Sequence, residues 1–182
     1  LAVDEINAQG GVLGAQGQRE LAFIVCDDKT DKEYAKASAT YLSNRGVPAV
    51  LGPLLSNLLE TTATEVAIPQ GLFMVSPSST SVGIRDLDDD DLIWRVSSAD
   101  TAQARALAYF GLWLAKEPIH ADSPSTIRVV GVHTSDNYGN EFRAAFEVAL
   151  GAYASALLGG DSGLNVSFSA ISHKPASETD QW

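Results

Sequence analysis

The chain has 182 residues, of which 45% are hydrophobic and 19% charged, and its 23 acidic and 12 basic side chains give a formal net charge of −11. That composition belongs to a folded globular protein, with room for one sizeable core or two small ones, and the negative charge argues against a nucleic acid as partner. No run reaches the roughly eighteen apolar residues of a membrane span, and no basic-then-apolar leader precedes Leu1. The single cysteine, Cys26, excludes an internal disulfide and reads as a buried, inert thiol beside the apolar run 21–25.

In chain order, residues 1–8 (LAVDEINA) predict a helix stopped by Gly10-Gly11, and its uncapped start reads as a piece cut from something longer. Residues 20–26 (ELAFIVC), ended by Asp27-Asp28, predict a strand buried on both faces. Thr30 followed by Glu33 forms a capping box for a helix to about Asn44, stopped at Gly46. A strand over 47–51 ends at Gly52-Pro53, and a helix over 56–67 opens under a Ser/Asn cap. Strands at 72–75 and 92–96, a helix at 100–116, a strand at 127–134, a helix at 138–150 and a strand at 165–171 complete the pattern.

Strands and helices alternate throughout, and the strands are continuously apolar, which predicts an α/β fold of open parallel sheets with helices on both faces. The small polar stretch 97–99 divides the chain into 1–97 and 98–182, with the Pro/Ser/Asp segment 118–125 as the competing linker. In such sheets ligands bind beyond the carboxyl ends of the strands. Three loops there are rich in hydroxyls: Ser56-Asn57, 76–81 and 97–101. Such groups suit a carboxylate or another small anion. Each also has an ordinary reading. Ser56 and Asp100 are adequate helix caps, Asp100 with Gln103 at the capping-box position, and Ser78 and Thr80 fit a solvated turn after Pro77.

Several stretches together carry a family resemblance. AVDEINAQGGVLG (2–14), LGPLLS (51–56), LFMVSPSST (72–80), RVSSADTAQARAL (95–107) and VVGVHTSDNYGNEF (129–142) stand in one order and spacing over residues 1–150. They resemble the type I periplasmic, or Venus-flytrap, solute-binding proteins of the branched-chain amino-acid group, and the last two are also similar to receptor ectodomains of that fold. The resemblance implies most of a first lobe, without its first strand, followed by the start of a second. It implies a small-molecule ligand, expected to be an amino acid, with Ser56, Ser78 and Thr80 holding its carboxylate, Asp100 accepting its ammonium and Tyr138 closing over it. For Tyr138 the ordinary alternative is a staple between helix and sheet. The family also implies a membrane permease or a signalling partner, a periplasmic or extracellular location, and no cofactor.

Other chemistry finds less support. The run Asp86, Asp88, Asp89, Asp90 and Asp91 lacks the Gly and distal Glu of a calcium loop, and His120, His133 and His173 lack metal-pair spacing. Glycines 10, 11 and 14 follow a helix rather than a strand, and no GxSxG elbow or phosphate loop occurs. Ser76 and His133 form no recognisable nucleophile–base motif, and the Asn165 sequon falls in a predicted strand. A ligand-sensing ectodomain or regulator of the same fold is the alternative to a transport receptor, and a small α/β enzyme the more distant one.

Overall fold

A computed structural model of the chain describes residues 2–116, 126–158 and 165–173. Helix α1 (Ala2–Ala8) leads into an antiparallel hairpin of β1 (Val12–Gly14) and β2 (Gly17–Arg19), which the hydropathy pattern did not show because all six of its residues are exposed. Asn7 ties the helix to the segment beyond the hairpin: its Nδ2 donates to the Leu21 carbonyl at 2.9 Å while its Oδ1 accepts from Leu21 N–H at 2.8 Å.

Beyond Leu21 the expected strand over 20–26 is not formed. No described strand pairs with it, Phe23 and Val25 are 66% and 90% exposed, and Cys26 is exposed rather than buried. An apolar run records what a segment is able to bury; a strand also needs a neighbour to share its hydrogen bonds. Helix α2 (Lys32–Asn44) is capped not by Thr30 but by Asp31, whose Oδ1 accepts from Glu33 N–H at 2.8 Å and Tyr34 N–H at 3.1 Å. Thr30 has φ +56°, away from the extended backbone a cap requires, whereas Asp31 is extended.

The first sheet is parallel, in the order β3 (Val50–Leu51), β4 (Met74–Ser76), β5 (Ile93–Arg95), with Val50 opposite Met74 and Met74 opposite Ile93. Between its first two strands, α3 (Ser56–Thr62) passes through a π-helical turn (Ala63–Ala67) into α4 (Ile68–Gln70), where one continuous helix was expected. The widened turn directly precedes Pro69, whose ring excludes a normally placed carbonyl four residues earlier. Leu59, Ala63, Val66 and Ala67 from this segment join Ala39, Leu72, Met74, Ile84 and Ile93 in the first core.

The second sheet pairs β6 (Thr126–Thr134) with β7 (Asn165–His173) in parallel over nine residue pairs, linked by α6 (Asn137–Leu158). Helix α6 runs eight residues past the expected end, since residues 151–158 contain no breaker except Gly151. With α5 (Asp100–Lys116) it builds a separate core from Ala108, Leu112, Ala149 and Leu150. The acidic run is a folded turn: Asp89 accepts from the Asp91 and Ile93 N–H groups, and Arg85 pairs with Asp86. The competing linker segment 118–125 and His120 lie outside the described residues, and no group of three metal-ligating side chains occurs among those described.

Candidate ligand-binding site

The floor of the site is the carboxyl end of β3 and β4. Gly52 N–H still donates to Val75 at 2.9 Å, and then the chain turns at φ +121°, a conformation that only glycine adopts without strain. This places the carbonyls of Pro53 and Leu54 beside the serine loop after β4. Ser76 Oγ lies 2.7 Å from the Pro53 carbonyl and 2.8 Å from Ser79 Oγ, and Ser78 Oγ donates to Leu54 at 2.8 Å. Ser97 Oγ, after β5, donates to the Ser79 carbonyl at 2.6 Å. The hydroxyls thus lash three successive strand-end loops together, which explains their density in the sequence.

Ser56 is not a cap. It is the first residue of α3, the capping position is held by Leu55 without a side-chain bond, and Ser56 Oγ instead accepts from the N–H groups of Thr80 and Ser81, each at 3.2 Å. With its acceptor side occupied, a serine hydroxyl has one O–H left to donate. Because that N–H is taken, Thr80 has its hydroxyl, and not its backbone N–H, to offer a ligand. Ser78, by contrast, has a backbone N–H and C=O that enter no hydrogen bond among the described residues.

Asp100 departs furthest from expectation. It is fully buried, at 0% exposure, it does not line the cleft, and neither carboxyl oxygen has a hydrogen-bond partner among the described residues, so it neither caps α5 nor meets solvent. Its N–H donates to the Thr80 carbonyl at 3.0 Å. Burial raises its pKa above the ordinary 3.8; the Thr80 side chain, close but outside good bonding geometry, lowers it, Glu141 raises it and Arg95 lowers it.

The opposite wall comes from α6. Asp136 caps that helix, its Oδ1 accepting from Thr134 Oγ1 at 2.6 Å and Gly139 N–H at 2.9 Å. Gly139 is required there: a Cβ would stand 2.1 Å from the Thr134 carbonyl. That close approach carries Tyr138, 43% exposed and 6.1 Å from the Phe142 ring, to the mouth of the cleft. Two hydrogen bonds join the walls, from Asn137 Nδ2 to Glu60 Oε2 at 2.6 Å and from Val82 N–H to Glu141 Oε2 at 2.8 Å. Ser81 Oγ holds the other oxygen of Glu60.

Between the walls lies a cleft of about 240 Å³, below the usual range for drug-sized ligands and suited to a small metabolite. Ser56, Ser78, Thr80 and Tyr138 all line it. So do Leu54, Leu55, Asn57, Gln103 and Asp136, which sequence reasoning did not propose as contacts. Asp136 was hidden by its ordinariness: an Asp before a helix signals a cap and nothing more.

A family model described as periplasmic binding protein matches residues 1–162. The chain belongs to the periplasmic binding protein family. Its α/β architecture of parallel sheets and helices matches type I members of that family. The "Leucine-, isoleucine-, valine-, threonine-, and alanine-binding protein" of Pseudomonas aeruginosa is 33% identical over 110 residues, covering 60% of this chain and 28% of that protein. The "Leu/Ile/Val-binding protein" of Escherichia coli strain K12 is 28% identical over 149 residues, 82% of this chain and 36% of its own length. A solved periplasmic binding protein relative, the ABC transporter substrate-binding protein of Desulfitobacterium hafniense in complex with Leu, superposes with a TM-score of 0.69 at 30% identity, covering 96% of this chain and 45% of that one. The chain therefore spans about a third of the length of the curated relatives and under half of that structure.

Proposed function

We propose that this chain forms the backbone-gripping part of an extracytoplasmic solute-binding protein that captures an amino acid between two lobes for ABC-type uptake through a membrane permease. The observation that carries the reading is the cleft itself, in which hydroxyls of the first half face an aromatic side chain of the second. Ser56 has a spare O–H, Ser78 has free backbone groups, and Thr80 adds a further hydroxyl; together they suit a carboxylate. Tyr138 covers the ligand from the far side. Asp100 works one layer below, its N–H fixing the Thr80 carbonyl.

A molecule touching both walls binds the closed arrangement better than an open one and shifts the population toward it. Relatives named for leucine, isoleucine and valine support a branched aliphatic amino acid as the class of ligand. Calorimetric titration of the full chain with an amino-acid panel tests this. Leucine, isoleucine or valine should bind, and Ser56→Ala and Thr80→Ala should each weaken binding by about 1–3 kcal/mol. Binding of amides or aromatic acids with no response to any amino acid would refute it.

A further inference from the structure

At the seam between the two halves, Glu60 receives Asn137 and Ser81, Glu141 receives Val82 N–H, and Asp136 receives Thr134 and Gly139. Asp100 is the exception: it is 0% exposed, and neither of its carboxyl oxygens has a partner among the described residues. Its surroundings come from both sides of the seam. The first half supplies Thr80, whose carbonyl accepts the Asp100 N–H at 3.0 Å, and Arg95, whose guanidinium already donates to the Ser81 carbonyl. The second half supplies Glu141, a like charge on α6. A carboxylate buried without a donor is costly, and the cost is relieved either by a proton or by water. Water reaches this one when the halves part.

We infer that Asp100 is a proton-linked latch: closing the halves over a ligand shuts water away from its carboxyl and is accompanied by uptake of a proton there. This rests on the proposed function above and adds a regulation to it, since capture then strengthens as pH falls. In the closed arrangement burial and Glu141 disfavour the charged form and Arg95 favours it, whereas in an opened one water solvates it. The start of α5 favours the charged form in both arrangements and cancels. The closed form therefore holds the proton more tightly. The penalty on closing is absent below the ordinary 3.8, grows as pH rises and is complete above the raised closed value. The carboxylates of Glu60 and Glu141 accept the bonds that join the walls, and neutralising them in acid weakens those bonds, which is the opposite sign.

The test isolates Asp100 by difference. Leucine is titrated calorimetrically into the full chain and into Asp100→Asn between about pH 4.5 and about pH 7.5, in paired buffers that differ in heat of ionisation. The wild type should take up more protons per leucine bound than the variant, and its affinity relative to the variant should rise by roughly three- to tenfold toward acid. Asp100→Ser, also neutral, should match the asparagine variant and answers the question if the asparagine perturbs folding. Equal proton uptake in the wild type and a folded neutral variant, or a relative affinity that falls in acid, overturns the latch and leaves the proposed function standing. Failure of the wild type to bind any amino acid overturns both.

Discussion

Strands of only two or three residues suffice in the first half to hold Met74 and Ile93 in a core of nine buried residues, because α2, α3 and the π-helical turn pack over them. In the second half, β6 and β7 pair over nine residues yet, among the described residues, bury only one face. Ile127, Val129, Val166 and Phe168 pack against the α5–α6 core, while Val130, Val132 and Ile171, on the alternate face, are exposed. Burial follows the helices that cover a sheet, not the length of its strands. A pattern of continuous apolar residues announces two buried faces, and among the described residues only one is covered.

That contrast is open to direct attack. Leu59→Ala, which empties a fully buried site in the first core, should cost about 2–5 kcal/mol in denaturant unfolding, whereas Val132→Thr, at a position 69% exposed, should stay within about 0.5 kcal/mol. Equal losses would erase the distinction between the halves.

At the seam between them, Asp100 gives a pH test. The folded chain holds its proton more tightly than the unfolded one, so the burial penalty is absent below 3.8 and grows as pH rises through the raised folded value; stability falls across that window. Asp100→Asn should raise the melting temperature near neutral pH, with a gain that fades in acid. A gain independent of pH would mean that the carboxyl titrates normally.

Gly139→Ala should cost about 1–3 kcal/mol by driving a methyl into the Thr134 backbone, and should weaken leucine binding by displacing Tyr138. Normal binding would remove Tyr138 from the site. Smallest of all, Asn137→Ala should lose about 0.5–1.5 kcal/mol of contact between the walls, read as a change in ligand affinity at constant unfolding midpoint.

Much of the architecture was legible because the two larger sheets are parallel and β3, β4, β5 and β6 are each followed within two residues by Gly, Pro or Ser. The strand-end loops drew attention to Ser56, Ser78 and Thr80, the family resemblance implied their ligand role and that of Tyr138, and the fold brings all four around one cleft. What failed to show was relational. Residues 20–26 have a strand's composition without a described partner, and Thr30 matched a capping box whose geometry its own backbone forbids. Ser56 and Asp100 occupied cap positions in the sequence but turned inward in space, one to receive two N–H groups and the other to sit without a partner among the described residues. Asp136 acquires its interest from what it faces, a property that no local pattern records.

The two bridges across the cleft, Asn137 to Glu60 and Val82 to Glu141, each join an uncharged donor to a glutamate, and neither touches the ligand space. Interactions of this kind break often and re-form quickly. Under the proposed function, the dwell time of a captured molecule would depend on how frequently this clasp lets go as well as on the grip on the molecule itself, and residue 60 would be a place to lengthen or shorten that dwell without altering a single ligand contact.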